Sequence, residues 1–149
     1  MKMPTKPLEI LLIEDNKGDI GLITEFFNDS EFITNIHIAE NGEEAIHFLC
    51  DRDQFLGSPL PNIILLDWNL PKKDGSEVLK EIKENKDLKN IPIIILTTSS
   101  AEKDILIAYD LQANAYIVKP IDFDEFMAAI KSIEDFWFKT VTLLPKHSH

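Results

Sequence analysis

The run IILL at residues 63–66 constrains this chain more than any other feature. Four large apolar residues stand between the turn signals Pro61-Asn62 and Pro71, and they stop at an acid, Asp67. A run so short, apolar on both faces of the pleat and half β-branched, fits a strand covered on both sides, as in a parallel sheet. Asp67 then sits at the carboxyl end of that strand, the edge where open α/β sheets keep their ligands.

Parallel strands need crossovers, and the rest of the chain supplies them. Further strand candidates lie at 8–13 (LEILLI), 36–39 (IHIA), 91–96 (IPIIIL) and 115–118 (AYIV). Between them run segments of helical period. Ile20, Ile23, Phe26 and Phe27 share one face, then Ala45, Ile46 and Leu49, then Val78, Leu79 and Ile82. Ile105, Ala108 and Tyr109 mark a fourth helix, with Ser99 and Glu102 at capping-box spacing before it. Phe123, Phe126, Met127, Ile130 and Ile133 form a fifth stripe behind Asp122 and Glu125. The alternation predicts an α/β domain: a doubly wound, flavodoxin-like (βα)5 fold whose five-stranded parallel sheet has the order 2-1-3-4-5. By length, the 149 residues make one domain, with its core at about 8–133 and the end of helix 5 and a tail at 134–149.

The predicted order brings strands 1 and 3 together, so Glu14, Asp15 and Asp67 arrive at one edge. At about 5 Å and an effective dielectric of about 20, each ionised pair repels by about 3 kcal/mol. A divalent cation relieves that repulsion. Oxygen donors without Cys or His select Mg²⁺, or Mn²⁺, over zinc. Strand 4 runs into Thr97-Thr98 and strand 5 into Lys119-Pro120. A hydroxyl and an ammonium beside a cation suit a phosphoryl group. Pro120 fixes its own φ and admits a cis bond after Lys119, which would aim the lysine inward.

With these residues in place, the chain resembles a response-regulator receiver domain of two-component signalling over residues 8–133. Glu14-Asp15, Asp67, Thr97, Tyr116 and Lys119-Pro120 each stand where that family's motif requires. The resemblance implies that Asp67 accepts a phosphoryl group from a sensor histidine kinase. It also implies that Asp15 and Asp67 ligate Mg²⁺ directly, Glu14 through water and Asn69 through its backbone carbonyl. Lys119 would pair with the phosphoryl group, and the backbone of Trp68, Asn69 and Thr98 would contact it. Thr97 would move to bond it while Tyr116 turns inward. The connection DRDQFLGSPLP, the phrase LDWNLPKKDG and the ending IEDFWFKTVTLLP are similar to the stand-alone receivers that serve bacterial phytochrome kinases, a group implying a symmetric dimer and no output domain.

Composition narrows the remaining classes. Fifteen Lys and Arg against 26 Asp and Glu give a net charge of -11, which opposes binding to nucleic acid or anionic lipid. MKMPTKPLEI lacks a signal-peptide core, and no apolar run reaches the length of a membrane span, so the expected location is the cytoplasm. The one cysteine, Cys50, reads as a small buried residue of helix 2. An aspartate-nucleophile, Mg²⁺-dependent phosphatase is the enzyme alternative. Its second acid would stand two residues after the nucleophile, where this chain has Asn69, which cannot protonate a leaving group. Flavodoxin-like cofactor binding needs a phosphate cradle where Glu14-Asp15 stand, and no GxxxxGK[ST] loop appears. His147 and His149 read as tail residues. Phe136, Trp137, Phe138, Val141, Leu143 and Leu144 extend past the helix 5 stripe. They predict a homodimer through helix 4, strand 5 and helix 5, against the alternative that the tail folds back on its own domain.

Overall fold

The computed structural model describes residues 7–54 and 57–140. Strands β1 (Leu8–Ile13), β2 (Thr34–Ala39), β3 (Ile63–Leu66), β4 (Ile93–Thr97) and β5 (Ala115–Val118) form one parallel sheet in the order β2-β1-β3-β4-β5. Helices α1 (Lys17–Asn28), α2 (Gly42–Cys50), α3 (Gly75–Glu84), α4 (Glu102–Asp110) and α5 (Phe123–Ile133) follow the strands in turn. The predicted fold class and strand order hold.

Alternation along the strands builds two cores. Leu11, Ile13, Ile64, Leu66, Ile93 and Ile95 face α2, α3 and α4, where they meet Phe48, Leu49, Leu79, Ile82 and Ala108. Ile10, Leu12, Ile63, Leu65, Ile94 and Leu96 face α1 and α5, against Ile23, Phe27, Phe126 and Ile130. Each such side chain contributes about 1.5–3 kcal/mol by leaving water, which is why the central strands can be apolar on both sides. No described helix is long and apolar enough to cross a membrane.

The caps decide where helices begin, and one differs from expectation. Asn16, Asn41 and Asp122 accept from the backbone N–H three residues on, and Asp74 and Glu77 form a reciprocal capping box. Ser99 does not form the predicted box with Glu102: its hydroxyl donates to Asp104 Oδ2 at 2.5 Å and accepts the Ala101 N–H at 3.4 Å, and α4 starts at Glu102 behind Ala101, which has no side chain to cap it. Strand β4 starts two residues later than predicted and ends one later. Pro92 has no N–H for the ladder, so pairing starts at Ile93 and takes in Thr97, the register partner of Val118.

Three burial expectations are corrected, the first at Phe123, which heads the predicted helix 5 stripe yet is exposed, because α5 buries only Phe126, Ile130 and Ile133. Cys50 is exposed, because the covered stripe of α2 runs through Ala45, Phe48 and Leu49, and position 50 falls off it. Tyr109 is exposed as well, since α4 buries only Ala108. The expected apolar extension beyond α5 divides. Residues 134–140 continue as a π-helical segment whose Phe138 packs on Phe27 and Phe32, with Trp137 against the same core. At its start the buried Glu134 accepts from Ser30 Oγ and from Lys131 Nζ, and Lys139 pairs with Glu31 at 3.0 Å. Over these residues the chain folds back on its own domain and leaves Phe136 at 53% exposure. Val141, Leu143, Leu144, His147 and His149 lie outside the described residues.

Candidate functional site

Register assembles the site. Ile13 and Leu66 are partners across β1 and β3, so Glu14 and Asp67 emerge next to each other, and the Asp67 N–H donates to the Ile13 carbonyl at 2.9 Å. Glu14 is 1% exposed and Asp67 is buried, while Asp15 opens to solvent. Their carboxylate oxygens lie within 4.8 Å of one another.

Each acid is held differently. Asp67 Oδ1 accepts the Trp68 N–H at 2.7 Å. Glu14 Oε2 accepts the Asn16 N–H at 3.1 Å, and Oε1 accepts from Lys119 Nζ at 2.5 Å. Burial pushes the Glu14 carboxyl up to about 7, with the nearby Asp67 charge adding to the rise, while its hydrogen bond to Lys119 pulls the other way. Lys119 is carried in by β5, its side chain 5% exposed and its Nζ 3.9 Å from Asp67 Oδ2. Burial acts to lower its pKa, yet the hydrogen bonds it donates to Asp19 and Glu14 lift it above the usual lysine value. The Lys119–Pro120 bond is trans, because the described residues contain no cis peptide; β5 alone directs the lysine into the site.

Thr97, 0% exposed, ends β4, and its Oγ1 accepts the Ser99 N–H at 3.4 Å. Tyr116 pairs in register with Ile95, presents its ring edge-on to Trp68 at 6.4 Å and donates its hydroxyl to the Ser99 carbonyl at 2.8 Å. Asn69 and Thr98 lie exposed in the loops after β3 and β4, at the same edge. Two residues that the sequence reading passed over belong here. Asp19, in the first turn of α1, accepts from Lys119 Nζ at 2.8 Å. Its only signal was a position four after Asp15 at a helix start. Gly75 seats α3 against the loop: a Cβ there would fall 2.6 Å from the Asp67 carbonyl oxygen and 2.7 Å from Trp68 Cα.

Three carboxyl groups, those of Glu14, Asp19 and Asp67, thus surround one ammonium, and Asp15 stands beside Glu14 and Asp67. Glu14, Asp15 and Asp67 supply oxygen donors alone, a set suited to a hard divalent cation such as Mg²⁺ or Mn²⁺. Beside such a cation, Asp67 can act as a nucleophile towards phosphorus, with Lys119 and Thr97 nearby to meet the charge that develops.

Comparison with known proteins points the same way. The model of the response regulator receiver domain matches residues 10–131. Response regulator Rcp1 of Synechocystis sp. is 45% identical over 137 residues, covering 92% of this chain and 93% of that protein. The crystal structure of its Mn²⁺-bound form superposes with a TM-score of 0.89 over 93% of this chain and 100% of the other. The phosphorylated cyanobacterial phytochrome response regulator RcpA is 42% identical and also reaches 0.89, over 93% of this chain and 99% of that one.

Proposed function

Since the chain belongs to the response regulator receiver family, we propose that Asp67 is its phosphoacceptor and that the domain is a switch set by that phosphoryl group. The observation that carries this reading is the convergence of Glu14, Asp15 and Asp67 within 4.8 Å, with Lys119 Nζ 3.9 Å from Asp67. In the reaction a carboxylate oxygen of Asp67 bonds to the phosphorus of a kinase phosphohistidine as the P–N bond breaks, and the electron pair stays on the imidazole nitrogen. Asp15, Asp67 and the Asn69 carbonyl would hold a divalent cation, with Glu14 reaching it through water, and the cation would neutralise charge during that transfer. Lys119 and the backbone N–H groups of Trp68, Asn69 and Thr98 receive the phosphoryl oxygens. The same groups then promote hydrolysis, so the domain catalyses only its own phosphorylation and dephosphorylation. Nothing in the site favours the phosphatase alternative, since Asn69 still lacks the proton that role requires.

The readout is proposed to run through Thr97. When its hydroxyl turns to the phosphoryl group, the β4–α4 loop that Tyr116 holds through the Ser99 carbonyl must adjust. The face that changes exposes Leu106, Ile107, Tyr109, Val118, Ile121 and Phe123. Such an apolar surface on α4, β5 and α5 supports a homodimer, without the Trp137 and Phe138 contribution that the sequence suggested. Likeness to Rcp1 and to the phytochrome regulator RcpA supports a phytochrome-type histidine kinase as partner, with the protein working in the cytoplasm. Intact mass after incubation with a small-molecule phosphodonor and Mg²⁺ tests the reading: wild type should gain one phosphoryl group and Asp67→Ala none. Equal gain by both would remove Asp67 from its role.

A further inference from the structure

Lys119 has one more carboxylate partner than phosphoryl transfer and metal binding require. Asp19 stands outside the Glu14, Asp15 and Asp67 triad, yet its Oδ2 lies 2.8 Å from Lys119 Nζ. An acid at the third position of a helix commonly folds back on the N-cap N–H, as Glu77 does towards Asp74. Asp19 uses only its backbone there, donating to Asn16 Oδ1 at 3.0 Å, and sends its carboxylate across to the end of β5. The positive end of α1 favours the charge at that place.

Geometry draws Lys119 to the α1 side. Glu14 at 2.5 Å and Asp19 at 2.8 Å take two of its three donors, while Asp67 Oδ2 at 3.9 Å is beyond hydrogen-bond reach. The two bonds differ in how readily they can be exchanged. The Glu14 side chain, 1% exposed, has no water to return to; that of Asp19, 24% exposed, does.

We propose that Asp19 is a positioning residue that holds Lys119 off Asp67 until a phosphoryl group arrives, and thereby limits how tightly the site keeps that group. The inference rests on the receiver reading above. A phosphoryl group on Asp67 adds anionic oxygens on the Lys119 side, and Lys119 turns to them by releasing Asp19. The phosphorylated state therefore forgoes a charge-assisted bond that the free state makes. Asp19→Asn keeps the shape and weakens that bond, and Asp19→Ala removes it, so both shift the balance towards the phosphoryl form.

The test uses beryllofluoride, a mimic of the phosphoryl group, titrated into the full chain at saturating Mg²⁺ and read by the fluorescence of Trp68 beside Asp67. Asp19→Asn and Asp19→Ala should bind about three- to tenfold more tightly than wild type. Asp19→Glu, which keeps the charge and the reach, should stay within about twofold of wild type. Equal or weaker binding by the Asn and Ala variants overturns the inference, as does a Glu variant that gains as much as Asn, since the charge would then not be the cause. If wild type itself fails to bind beryllofluoride, the receiver reading falls and this inference with it; wild-type binding with no effect at Asp19 overturns the inference alone.

Discussion

Without metal, the protein should lose stability as pH rises through neutrality, and Glu14 is the reason. Burial beneath Lys119 moves its carboxyl from 4.5 to about 7 in the folded chain. The folded state therefore holds a proton that the unfolded state releases. Its contribution is fully present below about 4.5, where both states are protonated, and it is lost as pH climbs through about 7. At about 1.4 kcal/mol per pH unit, that gap is worth about 3 kcal/mol. The assay is urea unfolding in the presence of a chelator between about pH 4.5 and 8, on wild type and on Glu14→Gln, which has no proton to lose. With a typical slope of about 1–3 kcal/mol per molar urea, the wild-type midpoint should fall relative to the mutant by about 1–3 M across the window. Excess Mg²⁺ should flatten the decline, because a cation favours the ionised form. A wild-type-to-mutant difference that stays constant with pH, or that moves in favour of wild type as pH rises, would refute the reasoning.

Other consequences follow from the same geometry. Millimolar Mg²⁺ should raise the melting temperature by mass action, and Asp15→Asn should lose most of that gain while being the more stable protein in chelator, because one like charge is gone. Gly75→Ala should cost about 1–3 kcal/mol in urea unfolding and slow phosphorylation, since the added Cβ presses on the Asp67 and Trp68 backbone; unchanged stability would mean the loop can yield. Thr97→Ala should accept the phosphoryl group yet show little of the wild-type change in amide exchange along β5; equal changes in both proteins would remove Thr97 from the readout.

What the sequence revealed follows from range. Strand runs such as IILL and helix stripes such as that of α3 are local patterns, so the fold and its order could be read from them. The acids at strand ends were legible because a parallel sheet brings all carboxyl ends to one edge. Features that depend on unlike segments meeting were hidden. Asp19 and Lys119 are 100 residues apart, and no local pattern joins them. Ser99 has the spacing of a cap, yet its hydroxyl found Asp104 and its carbonyl found Tyr116, so α4 begins uncapped. Cys50 has the composition of a core residue, but one step of helical phase, about 100°, turns it to solvent. The aromatic extension looked like an interface because the sequence does not disclose that Ser30 anchors Glu134, which lets Phe138 reach Phe27.

The most direct test of the central claim is to locate the phosphoryl group. Borohydride reduces an acyl phosphate to an alcohol, so a phosphorylated aspartate is read as homoserine in the peptide mass. After exposure to phosphodonor and Mg²⁺, the account predicts homoserine at position 67 and at no other acid of the site. A label at Asp15 or Asp19 with Asp67 intact, or a phosphoryl group that borohydride does not touch, would contradict it.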